Sequence, residues 1–266
     1  MSETAIDSLH ITRWGSEGAT VVMIHGSAQG SSLGGGDHFS AQERLARRGW
    51  RIVAPDRPGH GKSPAPGRPD DIELDAEWVA ELLGEGAHLV GHSLGGAISL
   101  AAAARRPEAV RSLTLIEPGL FMLALDKPVV QAFVVKQMQL FSSGRPAPEI
   151  AAEFSRMVGI PEEMIRSRAG QPSLAGMGAT LLQIRFPAPH VLKEYGETIA
   201  RAQLPVLVVS AGSNPAFEAT CAAVASLTNG RHCIVAAPHH FPHLVGDEFN
   251  DILHDFMSEA DRKETP

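Results

Sequence analysis

The sequence predicts an α/β fold: a doubly wound, mostly parallel sheet with a helical cap inserted between two late core strands. Three observations predict it. Short apolar runs alternate with longer helical patterns along most of the chain. The runs are rich in Val, Ile and Leu and apolar on both faces, as strands are when helices cover both sides of a sheet. Between residues 118 and 201 the alternation stops, and apolar residues follow helical spacing with no convincing strand.

Taken in order, the predicted strands are 20–24, 51–54, 88–90, 112–116, 206–209 and 232–236. Predicted helices lie at 39–48, 72–83, 94–106 and 216–227, with a terminal helix at 247–260. Gly49, Gly84, Pro107 and Asn229-Gly230 follow the first four, and Gly or Pro in those places stops a helix for steric reasons. The core is therefore expected over 1–117 and 202–266 and the cap over 118–201. Within the cap, Met122, Met138, Met157, Met164 and Met177 and Phe121, Phe133, Phe141 and Phe154 are candidates for lining an apolar pocket, or for packing the cap onto the core.

Composition narrows the partners. With 44% apolar and 20% charged residues the chain reads as an ordinary globular protein of 266 residues. A net charge of −7 disfavours nucleic acid and anionic membrane faces as partners. The first residues do not read as a signal peptide and no apolar run is long enough to span a bilayer, so a cytoplasmic protein without membrane insertion is expected. Cys221 and Cys233 form no CxxC pair and read as two reduced, packed thiols.

The strongest local signal is Gly91-His92-Ser93-Leu94-Gly95-Gly96, placed after one apolar run and at the start of a helix. This is G-x-S-x-G in a strand–turn–helix context. A nucleophile on so tight a turn needs glycine two residues before and after it, where side chains would collide. Ser93 is the candidate nucleophile. The helix N-terminus behind it points backbone N–H groups at the same spot. A second loop, His25-Gly26-Ser27-Ala28, follows an earlier strand and allows a sharp bend. The N–H groups of Ser27 and Leu94 are therefore the candidate oxyanion hole. Gly30, Gly34, Gly35 and Gly36 suggest a flexible loop beside it. Asp56-Arg57-Pro58-Gly59-His60-Gly61-Lys62-Ser63 reads as a structural turn, with His60 structural rather than catalytic.

Together with His239-His240-Phe241-Pro242-His243, these motifs occur in the order and spacing of the α/β-hydrolase superfamily, which the chain resembles over essentially its whole length. The resemblance implies a Ser, acid, His triad in that chain order. In the family the late loop usually reads Gly-His-x-Pro, so alignment on Pro242 makes His240 the base, with His239 in place of the usual Gly. His243 is read as a packing or supporting residue. A metal site is the competing reading of three histidines within five residues, but no Cys, Asp or Glu lies among them and none is expected.

The chain departs from the family pattern at the acid. An Asp is usual after the strand that corresponds to 206–209, and Asn214 stands in or near its place. Asn carries no negative charge. Some family members place the acid at the end of the preceding strand, where this chain has Glu117, and the order Ser93, Glu117, His240 is then kept. Glu218 is the weaker alternative, and a missing acid the other.

The function expected is cleavage of a carboxylic ester of a small or medium apolar substrate through an acyl-enzyme, without cofactor or metal. Lactone, thioester or carbon–carbon bond hydrolysis on the same residues is the first alternative. A weakened, ligand-binding protein on the same fold is the second. Ser at the nucleophile position disfavours dehalogenase and epoxide hydrolase chemistry, which uses Asp there.

Overall fold

The computed structural model describes residues 5–26, 35–167 and 172–264. Its strands are β1 (Ile11–Trp14), β2 (Thr20–Ile24), β3 (Arg51–Pro55), β4 (Ala87–His92), β5 (Val110–Ile116), β6 (Val206–Ser210) and β7 (Arg231–Ile234). Its helices are α1 (Gly35–His38), α2 (Ile72–Leu82), α3 (Leu94–Arg105), α4 (Pro128–Phe141), α5 (Ala147–Met157), α6 (Glu162–Ser167), α7 (Pro172–Leu181), α8 (Pro189–Arg201), α9 (Pro215–Thr228) and α10 (Glu248–Glu264). The strands form one sheet in the order β1-β3-β2-β4-β5-β6-β7. Among the described strands only the β1–β3 pair is antiparallel. The doubly wound, mostly parallel sheet expected from the sequence is present.

Each apolar run became a strand because its alternate residues feed two different cores. Val22, Ile24, Leu113, Leu115, Val206 and Val208 face a cluster with Ile72 and Val79 of α2, Ile98 of α3 and Val224 of α9. Val21, Met23, Ile116, Leu207 and Val209 face the other side, against Phe39, Leu45 and Phe249, Leu253 and Met257 of α10. Of the six expected strands, 20–24 is found with its expected bounds and the other five are shifted by one or two residues at their ends. The seventh, β1, gave no apolar signal because it is a short, half-exposed edge strand of sequence Ile-Thr-Arg-Trp. The helix expected over 39–48 is a 3-10 helix, Ser40–Arg48, which Gly49 ends in the left-handed region at φ 88°.

Helices α4 to α8 fill the segment between β5 and β6. Helix α8, inside the expected cap, packs against α3 and α9, and its Leu192 and Ile199 are buried in the main core. Helices α5 and α7 pack on each other around Ala151, Leu174, Met177 and Leu181. The cap methionines divide: Met177 is buried here, whereas Met122, Met138 and Met164 are exposed to solvent. Unpaired Cys221 is buried and unpaired Cys233 half-buried. No helix among the described residues is long and apolar enough to cross a membrane.

One buried ion-pair network anchors the turn after β3. The Arg57 guanidinium is wholly enclosed, with Nη2 2.7 Å from Asp70 Oδ2 and 3.7 Å from Asp75 Oδ2. Arg68 Nη2 lies 2.6 Å from the other oxygen of Asp75. Burial opposes the Arg57 charge, but the two carboxylates outweigh it and raise its pKa. His60 belongs to this network, 3.8 Å from Asp70, with Nδ1 3.1 Å from the Pro58 carbonyl. The Arg57 backbone N–H donates to His25 Nε2 at 2.9 Å, and His25 Nδ1 donates to the Gly26 carbonyl at 2.9 Å. The turn is thereby tied to the strand end beside Ser93. Arg57→Ala removes the close partner of the buried Asp70 carboxylate and leaves Asp75 paired with Arg68 alone, and it is expected to cost about 3–5 kcal/mol, read as a lower midpoint in urea unfolding. A shift of less than about 1 kcal/mol would show that the network contributes nothing.

Candidate active site

The tight turn after β4 is built as its glycines require. Ser93 lies at φ 55°, ψ −121°, a strained conformation for a residue with a side chain. A Cβ on Gly91 would fall 2.4 Å from the Gly95 carbonyl oxygen, and one on Gly95 would fall 2.2 Å from that of Ile24. Three backbone bonds pin the turn: Ser93 N–H donates to the Ile116 carbonyl, and the Gly96 and Gly119 N–H groups donate to the Ser93 carbonyl, each at 2.9 Å. The Ser93 side chain does not cap α3, whose N-terminus begins at Leu94. Ser27 lies outside the described residues. Its neighbour Gly26 abuts Ser93, since a Cβ there would sit 3.3 Å from Ser93 Oγ.

Glu117 and His240 meet although 123 positions separate them: His240 Nδ1 lies 2.5 Å from Glu117 Oε2, with both side chains fully buried. Glu117 follows β5 directly and holds φ 39°, in the left-handed region, which turns its side chain out of the strand path. Its N–H donates to the Val209 carbonyl at 2.8 Å, and its Oε1 accepts from the Ala211 N–H at 2.8 Å. One carboxylate oxygen is thus held by the β6 loop and the other by the imidazole. The His240 ring rests on Phe217 at 4.5 Å, and its Nε2 is buried without a hydrogen-bond partner. Among the described residues no hydrogen bond joins that nitrogen to Ser93 Oγ. Such contacts close on substrate binding in many hydrolytic sites.

Burial sets the charge of the pair. Desolvation pushes the Glu117 carboxyl up to about 7, against the opposing Ala211 N–H, and pushes the His240 imidazolium down to about 3. Between those values the pair holds one mobile proton and no net charge. Above them it is a carboxylate facing an Nδ1–H imidazole.

The other sequence candidates have different places. Asn214 caps α9: its Oδ1 accepts from the Ala216 N–H and its Nδ2 donates to the Met157 carbonyl, both at 3.0 Å. Glu218 accepts from Gly212 N–H and Ser210 Oγ at 2.8 Å and makes no contact with His240. His239 Nδ1 accepts from the Phe241 N–H at 3.3 Å.

Sequence reasoning missed His92 and His38. His92 Nε2 donates to the His240 carbonyl at 2.8 Å and so fixes the loop that carries the imidazole. His38, His92 and His243 stack behind it, fully buried, with one ring nitrogen from each within 4.8 Å of the others. This is the group among the described residues closest to a metal-ligand set, and it includes no carboxylate or thiolate. Burial holds all three imidazoles well below their ordinary pKa, hence neutral. The signal available in the sequence was the x of G-x-S-x-G together with His38-Phe39.

In front of Ser93 lies a cavity of about 260 Å³ between core and cap. The core contributes Ser93, Leu94 and Phe217, and the segment between β5 and β6 adds Gly119 and mainly aromatic and aliphatic side chains. Of the phenylalanines expected there, Phe121, Phe141 and Phe154 line it, while Phe133 packs behind Phe121 at 4.6 Å.

Comparison with known proteins identifies the fold family. Residues 19–247 match the family model for the alpha/beta hydrolase fold. The chain is 38% identical over 136 residues to the lipase LipV of Mycobacterium tuberculosis, covering 48% of each protein. It is 35% identical over 116 residues to a 2-hydroxy-6-oxononadienedioate/2-hydroxy-6-oxononatrienedioate hydrolase of Paraburkholderia phymatum, covering 42% of this chain and 40% of that protein. The chain spans about half the length of the curated relatives it matches. Among solved structures, the enol-lactonase of Burkholderia xenovorans superposes with a TM-score of 0.65 at 20% identity, over 94% of this chain and 96% of that one. The chain belongs to the alpha/beta hydrolase fold family.

Proposed function

We propose that the chain is a serine hydrolase that cleaves an ester of a small or medium apolar acyl group through an acyl-enzyme. The observation that carries this reading is the buried Glu117–His240 contact beside a cavity lined by Ser93. Ser93 Oγ attacks the carbonyl while His240 Nε2 takes its proton. Glu117 holds the ring with Nδ1–H inward, which leaves Nε2 free as an acceptor. Backbone N–H groups of Leu94 and Ser27 receive the oxyanion. His240 then gives the proton to the leaving alcohol, and a water activated by the same nitrogen releases the acid. Lactones and thioesters are open to the same steps. The ester reading is preferred to carbon–carbon cleavage of a dioate because the described cavity lining contains no cationic side chain. The ligand-binding alternative rested on Asn214 in the expected acid position, and Glu117 already supplies the carboxylate.

Ser93→Ala is expected to lower hydrolysis of a nitrophenyl butyrate by at least about ten-thousand-fold. Retention of a tenth of the activity would remove Ser93 from the role. Glu117→Gln is expected to lower kcat/KM by roughly a hundred- to ten-thousand-fold. Asn214→Ala is expected to lower it by less than about threefold while costing about 1 kcal/mol in thermal unfolding, the value of a helix cap. Equal losses in the two variants would reject Glu117 as the acid.

The pH profile follows from the same pair. When the dyad holds its mobile proton as a carboxylic acid, that acid donates to Nδ1 and the ring proton sits on Nε2, facing the nucleophile. Base capacity is then lost. Activity must therefore appear as pH rises and the dyad loses one proton. The value of about 7 for Glu117 places the rise in kcat/KM near neutrality, with a slope of one proton and a plateau above it. A profile already flat from pH about 5 would show that the dyad is ionised differently.

A further inference from the structure

The cavity in front of Ser93 carries no charge among its described lining residues. None of its described lining residues is Lys, Arg, His, Asp or Glu. Apart from Ser93 its one polar side chain is Gln137 of α4. Gln137 stands between Phe133 and Phe141 at spacing i ± 4, on one face of the helix. Phe133 packs on Phe121 and Phe217 at 4.6 and 6.2 Å, and Phe141 packs on Phe154 at 5.6 Å. An amide thus interrupts an aromatic stripe, and among the described residues it has no hydrogen-bond partner. At roughly 30 Å³ per water-sized group, 260 Å³ holds about eight or nine heavy atoms.

Two consequences follow from chemistry alone. A substrate carboxylate placed in this cavity would lose water and gain no cation, a strongly unfavourable exchange. Gln137 is half-exposed, and a wholly apolar acyl chain would take water from the cavity side of its amide and return no hydrogen bond. A neutral group with a carbonyl oxygen avoids both losses.

We infer that the site selects uncharged acyl esters whose acyl part carries a neutral carbonyl, and that Gln137 on the cap is the residue that reads it. The inference rests on the serine hydrolase reading and names the substrate class of that same site.

The test uses nitrophenyl esters of three acyl groups matched in length: a plain alkanoyl, one with a mid-chain ketone and one ending in a carboxylate. Enzyme is first titrated with a fluorophosphonate. The carboxylate ester should have a kcat/KM more than about tenfold below the alkanoyl ester, and the ketone ester should exceed it. Gln137→Leu should lower the ketone-to-alkanoyl ratio more than about fivefold. Gln137→Arg should raise the carboxylate-to-alkanoyl ratio by about tenfold, a gain that misfolding cannot mimic. A smaller gap for the carboxylate ester, or a ratio that Gln137→Leu leaves in place, overturns the inference. Residues 168–171 lie outside the described set, so Arg168→Ala is included, and carboxylate-ester turnover that depends on Arg168 also overturns it. Absence of both labelling and ester turnover would instead remove the hydrolase reading. Labelled enzyme that fails to discriminate removes this inference alone.

Discussion

The contact between Glu117 and His240 is the constraint on which the site depends. Both groups are withdrawn from water, and each becomes hard to charge for that reason. Only a partner at hydrogen-bonding distance makes an ionised carboxylate tolerable there. The imidazole supplies one such partner and the Ala211 N–H the other. If Glu117 were displaced, the His240 ring would keep, among the described residues, its packing on Phe217, His92 and Phe241.

The parallel sheet makes this contact possible. β4, β5, β6 and β7 are neighbours running in one direction, so the chain leaves all four at the same edge. Ser93 leaves β4, Glu117 leaves β5, Ala211 leaves β6, and His240 follows β7. Register does the fine placement: His92 pairs with Ile116 and Ile116 with Val209. The residues directly after each therefore lie side by side. Ser93 and Glu117 both take positive φ at this edge. That strain is sustained by the backbone bonds from Ser93 to Ile116 and from Glu117 to Val209. Beneath them, the buried Arg57 ion pairs secure the neighbouring strand end through His25.

Much of this was legible in the residues. The sheet could be read because buried parallel strands are apolar on both faces, and the tight turn at Ser93 because only glycine fits at Gly91 and Gly95. Glu117 could be proposed from its charge and its place after a strand. Its left-handed backbone could not, since nothing in Ile-Glu-Pro announces it. Asn214 illustrates the opposite case: an Asn two residues before a helical Ala is a strong N-cap signal, but family expectation drew attention to it as a missing acid. β1 escaped because an edge strand needs only one partner and little apolar surface. The cap methionines misled because helical spacing marks a face without saying whether that face meets the cavity or solvent. Met138 points to solvent and Gln137 lines the cavity, although they are adjacent. The stacked His38, His92 and His243 come from three distant segments, and no local pattern joins them.

The most direct measurement of the central contact is proton NMR of the imidazole N–H region in the resting protein. A short, water-excluded Nδ1–H to carboxylate bond gives a resonance far downfield of ordinary amide and indole protons. One such resonance is expected, retained in Ser93→Ala and absent in both His240→Ala and Glu117→Ala. A spectrum without it, or a downfield resonance that survives removal of Glu117, would contradict the assignment of Glu117 as the partner of His240.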